Sequence, residues 1–357
     1  MILMSKISGY ILPFFIVCMF AASGAAQTTR QTKVAVLDFG ATETGLRASE
    51  KVARSLNAVT GLSLLDRDES RFAARGIGYS GSLNLTLGEA RDLGAAIGCD
   101  FYLTGDAQTL RRSSSARPVF YEAYASIFIV SARTGRLVMW ERPSFEAATP
   151  EAAETMLLAE LTGRATRYEA AIHAAAENER SERELSITQS APVIEEVPEE
   201  TSPQAKGLRL PQPYRRVHPV YPETAARAEA EATVDVLVDL DAEGEVTRVE
   251  VMRWAGFGLD DSTVNTIRQM HFRPATRDGV PLPMRVLLRY NFQRPAKEVK
   301  DKSKKAQGNA KVKTASLSNS LLRSRPTVAF YLFTFTSAHG AQRCQCGDAR
   351  GTARSLR

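Results

Sequence analysis

The chain has 357 residues, 44% of them hydrophobic and 24% charged, enough for two domains of about 100 to 150 residues each and inconsistent with wholesale disorder or a multi-span membrane protein. Its net charge of +6 comes from the C-terminal end, where residues 301–357 hold 11 Lys+Arg against 2 Asp+Glu and leave a net −3 for residues 1–300. The body thus lacks the cationic surplus that attracts phosphate backbones, and nucleic acid is not an expected partner.

At the N-terminus, Lys6 precedes an apolar run from Ile7 to Ala22, followed by Gly24 and Ala26. A cation, an apolar stretch and small residues form the layout of a secretory signal, with cleavage expected after Ala26 and a periplasmic mature protein. The alternative is an uncleaved inner-membrane anchor over residues 7–26, which would then be the chain's only membrane contact. Cys18 lacks the small preceding residue of a lipid-attachment site. Cys99 reads as a small buried apolar residue, and with Cys344 and Cys346 in the tail no disulfide framework follows.

Residues 27–176 read as an α/β layer domain with a mixed sheet. The apolar run 33–39 predicts a strand. Leu46, Val52, Leu56 and Val59 predict one face of a helix. A strand at 62–65, helices near 68–75 and 86–97 and a strand at 100–105 follow. An antiparallel pair, 119–130 and 136–145, is joined by Ser131 to Gly135, whose glycine suits a hairpin loop. A helix from Glu151 to about Glu177 closes the domain, with Pro150 at its entry.

Residues 177–207 carry eight glutamates with Pro192, Pro198 and Pro203. They predict an extended acidic linker with little to bury. Residues 208–295 form a second, α+β domain, a small antiparallel sheet with one helix. Its parts are a helical patch at Glu223 to Ala230 and alternating strands at 232–240, 246–252 and 284–292. A helix capped by Asp260 or Asp261 places Val264 and Ile267 inward. Beyond residue 296 the pattern dissolves into a basic, disordered tail. Its strand-forming run at 328–335 has no partner segment, and the tail reads as a non-native extension.

Enzyme chemistry finds little support. Gly76 to Gly81 has the G-x-G-x-x-G spacing, but a nucleotide site needs a strand before it and a helix after it, and here a helix comes first. His173, His218, His271 and His339 are far apart, without metal-ligand spacing, and no nucleophile elbow is present. No cofactor and no metal is expected.

From Tyr221 to Phe292 the second domain resembles the C-terminal domain of the TonB family. The landmarks are Tyr221-Pro222 before a short helix, a valine-alternating strand, the Asp241, Gly244, Val246 turn, Leu259-Asp260, the Phe272, Pro274, Ala275 and Gly279, Pro281 patterns, and the final alternating strand. The resemblance implies a periplasmic peptide-binding module that grips a short segment of an outer-membrane receptor. Partner-binding candidates are His218, Tyr221, Pro222, Arg285, Leu287, Arg289 and Asn291. The sequence departs from energy-transducing members: residues 1–26 contain no histidine, the linker has three prolines, and a folded domain precedes the module. The first domain is similar, more weakly, to the periplasmic α/β domains of curli-secretion and penicillin-binding-protein activator lipoproteins. Val34 to Phe39, Leu64 to Arg67, the Ala95 to Gly105 stretch and Ile129 to Gly135 carry that likeness.

The expected function is therefore that of a non-enzymatic envelope protein whose second domain adds a partner's segment as a strand beside residues 284–292. Arg285 and Arg289 would draw an acidic or polar segment to an open edge. The rival is a TonB-type energy transducer with residues 7–26 retained as its anchor. A hydrolase would need a clustered acid, base and nucleophile that only the tertiary structure could reveal.

Overall fold

The computed structural model describes residues 31–59, 61–114, 116, 118–188, 194–198 and 202–294. The expected signal or anchor and the tail, with Cys344, Cys346 and the 328–335 run, lie outside the described residues.

The N-terminal half is built on strands β1 (Thr32–Val36), β2 (Leu62–Leu64), β3 (Phe101–Arg112), β4 (Phe120–Ser131), β5 (Leu137–Glu141) and β6 (Ser144–Ala147). They form one sheet in the order β2-β1-β3-β4-β5, with β6 also on β4. The three strands β1, β2 and β3 run parallel and the rest pair antiparallel, so the sheet is mixed. Helices α1 (Glu43–Asn57), α2 (Arg67–Gly76), α3 (Leu87–Ile97), α4 (Pro150–Gly163) and α5 (Ala165–Thr188) cover it. Their starts follow from capping: Thr42 accepts from the Gly45 N–H, Asp66 from Asp68 and Glu69, and Thr86 with Glu89 closes a reciprocal capping box.

Side chains alternate across a strand, and both faces of this sheet are buried. Val34, Val36, Ile127 and Ile129 pack toward α1, α4 and α5 with Leu56, Leu157 and Tyr168. Ala35, Leu37, Phe128 and Val130 pack toward α2 and α3 with Leu87, Leu93 and Tyr102. Trp254, from the C-terminal half, completes this second layer.

Several elements differ from expectation. The strand expected at 100–105 continues to Arg112, because β4 pairs with it along its whole length. The strand expected at 136–145 breaks into β5 and β6 around Pro143, which has no N–H for a ladder. Leu46 is turned outward, 42% exposed. The helix expected to end near Glu177 is two helices, and α5 runs on to Thr188. Its acidic end is held by charge and not by an apolar face: Glu179 bonds Arg133 and Thr134, and Glu182 bonds Arg136. The segment expected as a linker is thus partly helical.

The C-terminal half contains β7 (Glu195–Glu196), β8 (Leu208–Arg209), β9 (Gln212–Pro213), α6 (Glu223–Ala228), β10 (Ala232–Leu240), β11 (Val246–Arg253), α7 (Leu259–Arg268), β12 (Phe272–Arg273), β13 (Ala275–Arg277), β14 (Val280–Leu282) and β15 (Met284–Phe292). Its main sheet has the order β11-β10-β15-β7. Val234, Val236, Val238 and Leu240 of β10 and Met284, Val286, Leu288, Tyr290 and Phe292 of β15 are buried in one core with Ile267 of α7. Each such side chain contributes about 1.5–3 kcal/mol, and a one-residue slip would turn Asp235, Asp239, Arg285 and Arg289 into that core. The register is fixed by this asymmetry. Asp260 does not cap α7 as expected; Gly258 takes the cap position, and the Asp260 carboxylate accepts the Ala255 and Gly256 N–H groups at 2.8 Å each.

Candidate partner-binding edge

On the outer face of β15, opposite the core, stand Arg285, Leu287, Arg289 and Asn291. The Arg285 guanidinium donates through Nε and Nη2 to the two carboxylate oxygens of Asp239, at 2.6 and 2.9 Å. Arg289 holds Asp235 in the same fork, at 2.6 and 2.9 Å. Such two-pronged bonds are strong and directional, and they cover Asp235 and Asp239, which are 4% and 3% exposed. The bond to Asp239 keeps the Arg285 pKa above its ordinary value. The sequence predicts these arginines as open attractors for a partner; the aspartates that alternate along β10 instead hold two nitrogens of each. Asn291 accepts from the Thr233 hydroxyl at 2.8 Å, and Leu287 lies opposite Leu237. Leu287 and Arg289 also line a cleft of about 690 Å³, across which stand Arg91, Arg133, Glu179 and Arg183 of the N-terminal half.

The edge of β15 carries a neighbour. Segment β7 runs parallel to it, Glu195 beside Met284 and Glu196 beside Arg285, and the ladder ends there. Glu195 is gripped by the Arg277 fork, one arm at 3.1 Å. Glu196 lies 3.7 Å from Nη1 of Arg285, the arm that Asp239 leaves over. Val197 packs against the core of this half.

The other candidates do not meet on this edge. The Tyr221 hydroxyl donates to the carbonyls of Ala230 at 2.6 Å and Ala225 at 3.3 Å, and its ring lies 6.3 Å from that of Phe292. Tyr221 thus fastens α6 to the sheet. Pro222 is the N-cap of α6, and its fixed φ suits a helix start. His218 is exposed in the approach to α6.

The residues that join the two halves are not among the candidates the sequence offers. The Trp254 indole is 2% exposed and stacks on Phe128 at 5.8 Å. Its neighbour Phe257 packs edge-on to Phe128 and against Trp140, both at 5.6 Å. Gly256, at φ +72°, passes so close to the Phe128 ring that a side chain would collide with it. Asn84 fits its amide into the C-terminal half, donating to Thr233 O at 2.8 Å and Trp254 O at 2.7 Å and accepting from Thr233 N at 3.0 Å. Arg136 bonds Glu250 at 3.0 Å. The only signal available beforehand was an aromatic pair, Trp254 and Phe257, in a Gly-rich turn.

The remaining chemistry-bearing candidates stay apart. Gly76 ends α2 and Gly78 to Gly81 form a loop, so this run leaves a helix where a dinucleotide site would enter one. Cys99 is a free thiol whose pKa burial pushes up to about 12. Among the described residues no group of three His, Cys, Asp or Glu could hold a metal ion, and no helix is long and apolar enough to cross a membrane.

The fold is α/β plus α+β, ending in a small sheet-and-helix module. Residues 217–293 match the family model described as Gram-negative bacterial TonB protein C-terminal. Protein TonB of Vibrio cholerae serotype O1 is 33% identical over 79 residues, which are 22% of this chain and 32% of that protein, so the chain spans about a third of the length of this relative. Two solved structures are similar to parts of the chain. The TonB C-terminal domain of Pseudomonas aeruginosa has 21% identity and a TM-score of 0.20, covering 25% of this chain and 87% of that one. The LpoB C-terminal domain from Salmonella enterica has 15% identity and a TM-score of 0.24, covering 34% of this chain and 86% of that one.

Proposed function

We propose that this is a non-enzymatic periplasmic envelope protein whose TonB-like module captures an extended segment of an outer-membrane or other envelope protein by strand addition on β15. The observation that carries the reading is the parallel pairing of β7 with β15, an edge whose backbone accepts a strand. Main-chain bonds at such an edge supply affinity, and the side chains beside it supply selectivity. The TonB C-terminal match over residues 217–293 supports the same role. The N-terminal half holds the module through Trp254 and Asn84. A transducer role, with residues 7–26 as an anchor, is the second reading, favoured by the likeness to Protein TonB. The mature N-terminus, read by mass spectrometry, decides between them: Gln27 as first residue removes the anchor.

Strand capture is tested by NMR on the full chain, adding synthetic peptides copied from short segments of outer-membrane receptors. The expected result is amide shifts along β15 and slower exchange there. Shifts confined to other elements would refute it.

A further inference from the structure

We propose that the chain carries its own occupant for this edge: the segment Ile194 to Pro198 sits on β15 as a tethered stand-in for the partner, and the partner is an extended acidic peptide of the same pattern. The inference rests on the strand-addition reading and adds the ligand's chemistry and its control.

Four observations define the pattern. The segment runs parallel to β15, pairing Glu195 with Met284 and Glu196 with Arg285. Alternation along a strand sends Glu195 and Val197 to one face and Glu196 to the other, and the contacts agree. Glu195 reaches Arg277 on β13, Val197 joins the core side, and Glu196 faces Arg285 on the outer face. Arg277 is itself oriented by the Gln204 carbonyl, 3.1 Å away, so its fork is set for a carboxylate. Arg285 spends Nε and Nη2 on Asp239 and points Nη1 at Glu196. The edge thus reads acid, acid, apolar, with one cation on each face.

The grip is weak enough to yield. The ladder covers two residues of β15, and the side chains of Glu195 and Glu196 are 35% and 63% exposed, so their ion pairs are screened by water. Tethering compensates, because a segment covalently joined to the chain that carries its site meets that site at an effective concentration of about a millimolar. An incoming peptide with the same pattern competes with it, more strongly the longer its ladder, and its apparent affinity falls by the fraction of time the edge is occupied.

The test uses the full chain and the synthetic peptide Ile-Glu-Glu-Val-Pro, with binding followed by calorimetry and by β15 amide shifts. In the double variant Glu195→Lys, Glu196→Lys the resident segment meets Arg277 and Arg285 with like charge, and both positions are exposed enough for folding to survive. A second variant, Glu195→Gln with Glu196→Gln, weakens the resident without repulsion. The expected result is that the lysine variant binds the peptide about tenfold or more tighter than the parent, the glutamine variant lies between them, and Ile-Lys-Lys-Val-Pro binds none of them. Equal affinity in parent and variants, or equal binding of the lysine peptide, overturns the proposal. If receptor-derived peptides shift β15 equally in parent and variants, strand capture stands and the tethered occupant falls. If no peptide shifts β15 in any of the proteins, both readings fall.

Discussion

The indole Nε1–H of Trp254 donates to the carbonyl of Gly135 at 3.0 Å, across 119 positions of sequence. Gly135 lies in the turn between β4 and β5 at φ +73°, where a side chain would strike the Leu87 backbone. The bond therefore joins a turn that only glycine fits to a tryptophan that fills the second layer of the neighbouring core. This contact ties the two halves to one another.

Trp254→Ala empties that layer and should cost about 3–5 kcal/mol, the usual range for removing a large buried aromatic. Loss of the shared core should also split unfolding into two transitions. Calorimetry on parent and variant checks this; a single, unshifted transition in the variant would show that the halves do not depend on the contact.

Asn84→Ala removes the partners of three backbone groups, Thr233 N, Thr233 O and Trp254 O. Unpaired buried polar groups cost about 1–3 kcal/mol each, so a loss of about 2–4 kcal/mol is expected after partial hydration. Asn84→Asp should be no better, since it presents a carboxylate to two carbonyls. Urea midpoints of the three proteins provide the comparison, and rescue by aspartate would contradict the bonding scheme.

Burial pushes the Asp260 carboxyl up from 3.8 to about 6, although the Ala255 and Gly256 N–H groups pull it down. The folded chain thus holds a proton that the unfolded chain releases near pH 4. The stabilisation from this group is full below about pH 4 and is lost as pH rises through about 6, a change of at most about 3 kcal/mol. In Asp260→Asn this slope should vanish. Denaturation midpoints at pH 4.5, 5.5 and 6.5 measure it, and a parent-minus-variant difference that does not change with pH would rule it out.

Arg289→Ala leaves Asp235, 4% exposed, with Arg253 at 3.3 Å in place of its fork. Breaking a buried pair costs about 3–5 kcal/mol, and the remaining arginine should hold the loss to about 2–4. Adding Asp235→Ala should recover part of it, with a coupling above about 1 kcal/mol in the double-mutant cycle. Strict additivity would mean that the fork contributes nothing.

The period-two alternation of 232–240 and 284–292 coincides with β10 and β15 residue for residue, and the Tyr221 to Phe292 landmarks lie in a stretch that matches the TonB C-terminal family. These features are legible because strand alternation, caps and turn residues are written within a few neighbouring positions, where steric and hydrogen-bonding preferences act along the chain. The same alternation puts Arg285 and Arg289 on the outer face but is silent on their role, because the aspartates that hold them are 46 and 54 positions away. Glu195 and Glu196 looked like linker for the same reason: their composition is acidic and Pro-flanked, while Arg277 stands 82 positions further on. The docking of Trp254 needs a surface assembled from β4, α3 and the β4–β5 turn, none of which lies near it in sequence. Local preference thus settles which segments are helices and strands. Which charges are spent and which edge is covered depends on pairings that exist only once distant segments share one core.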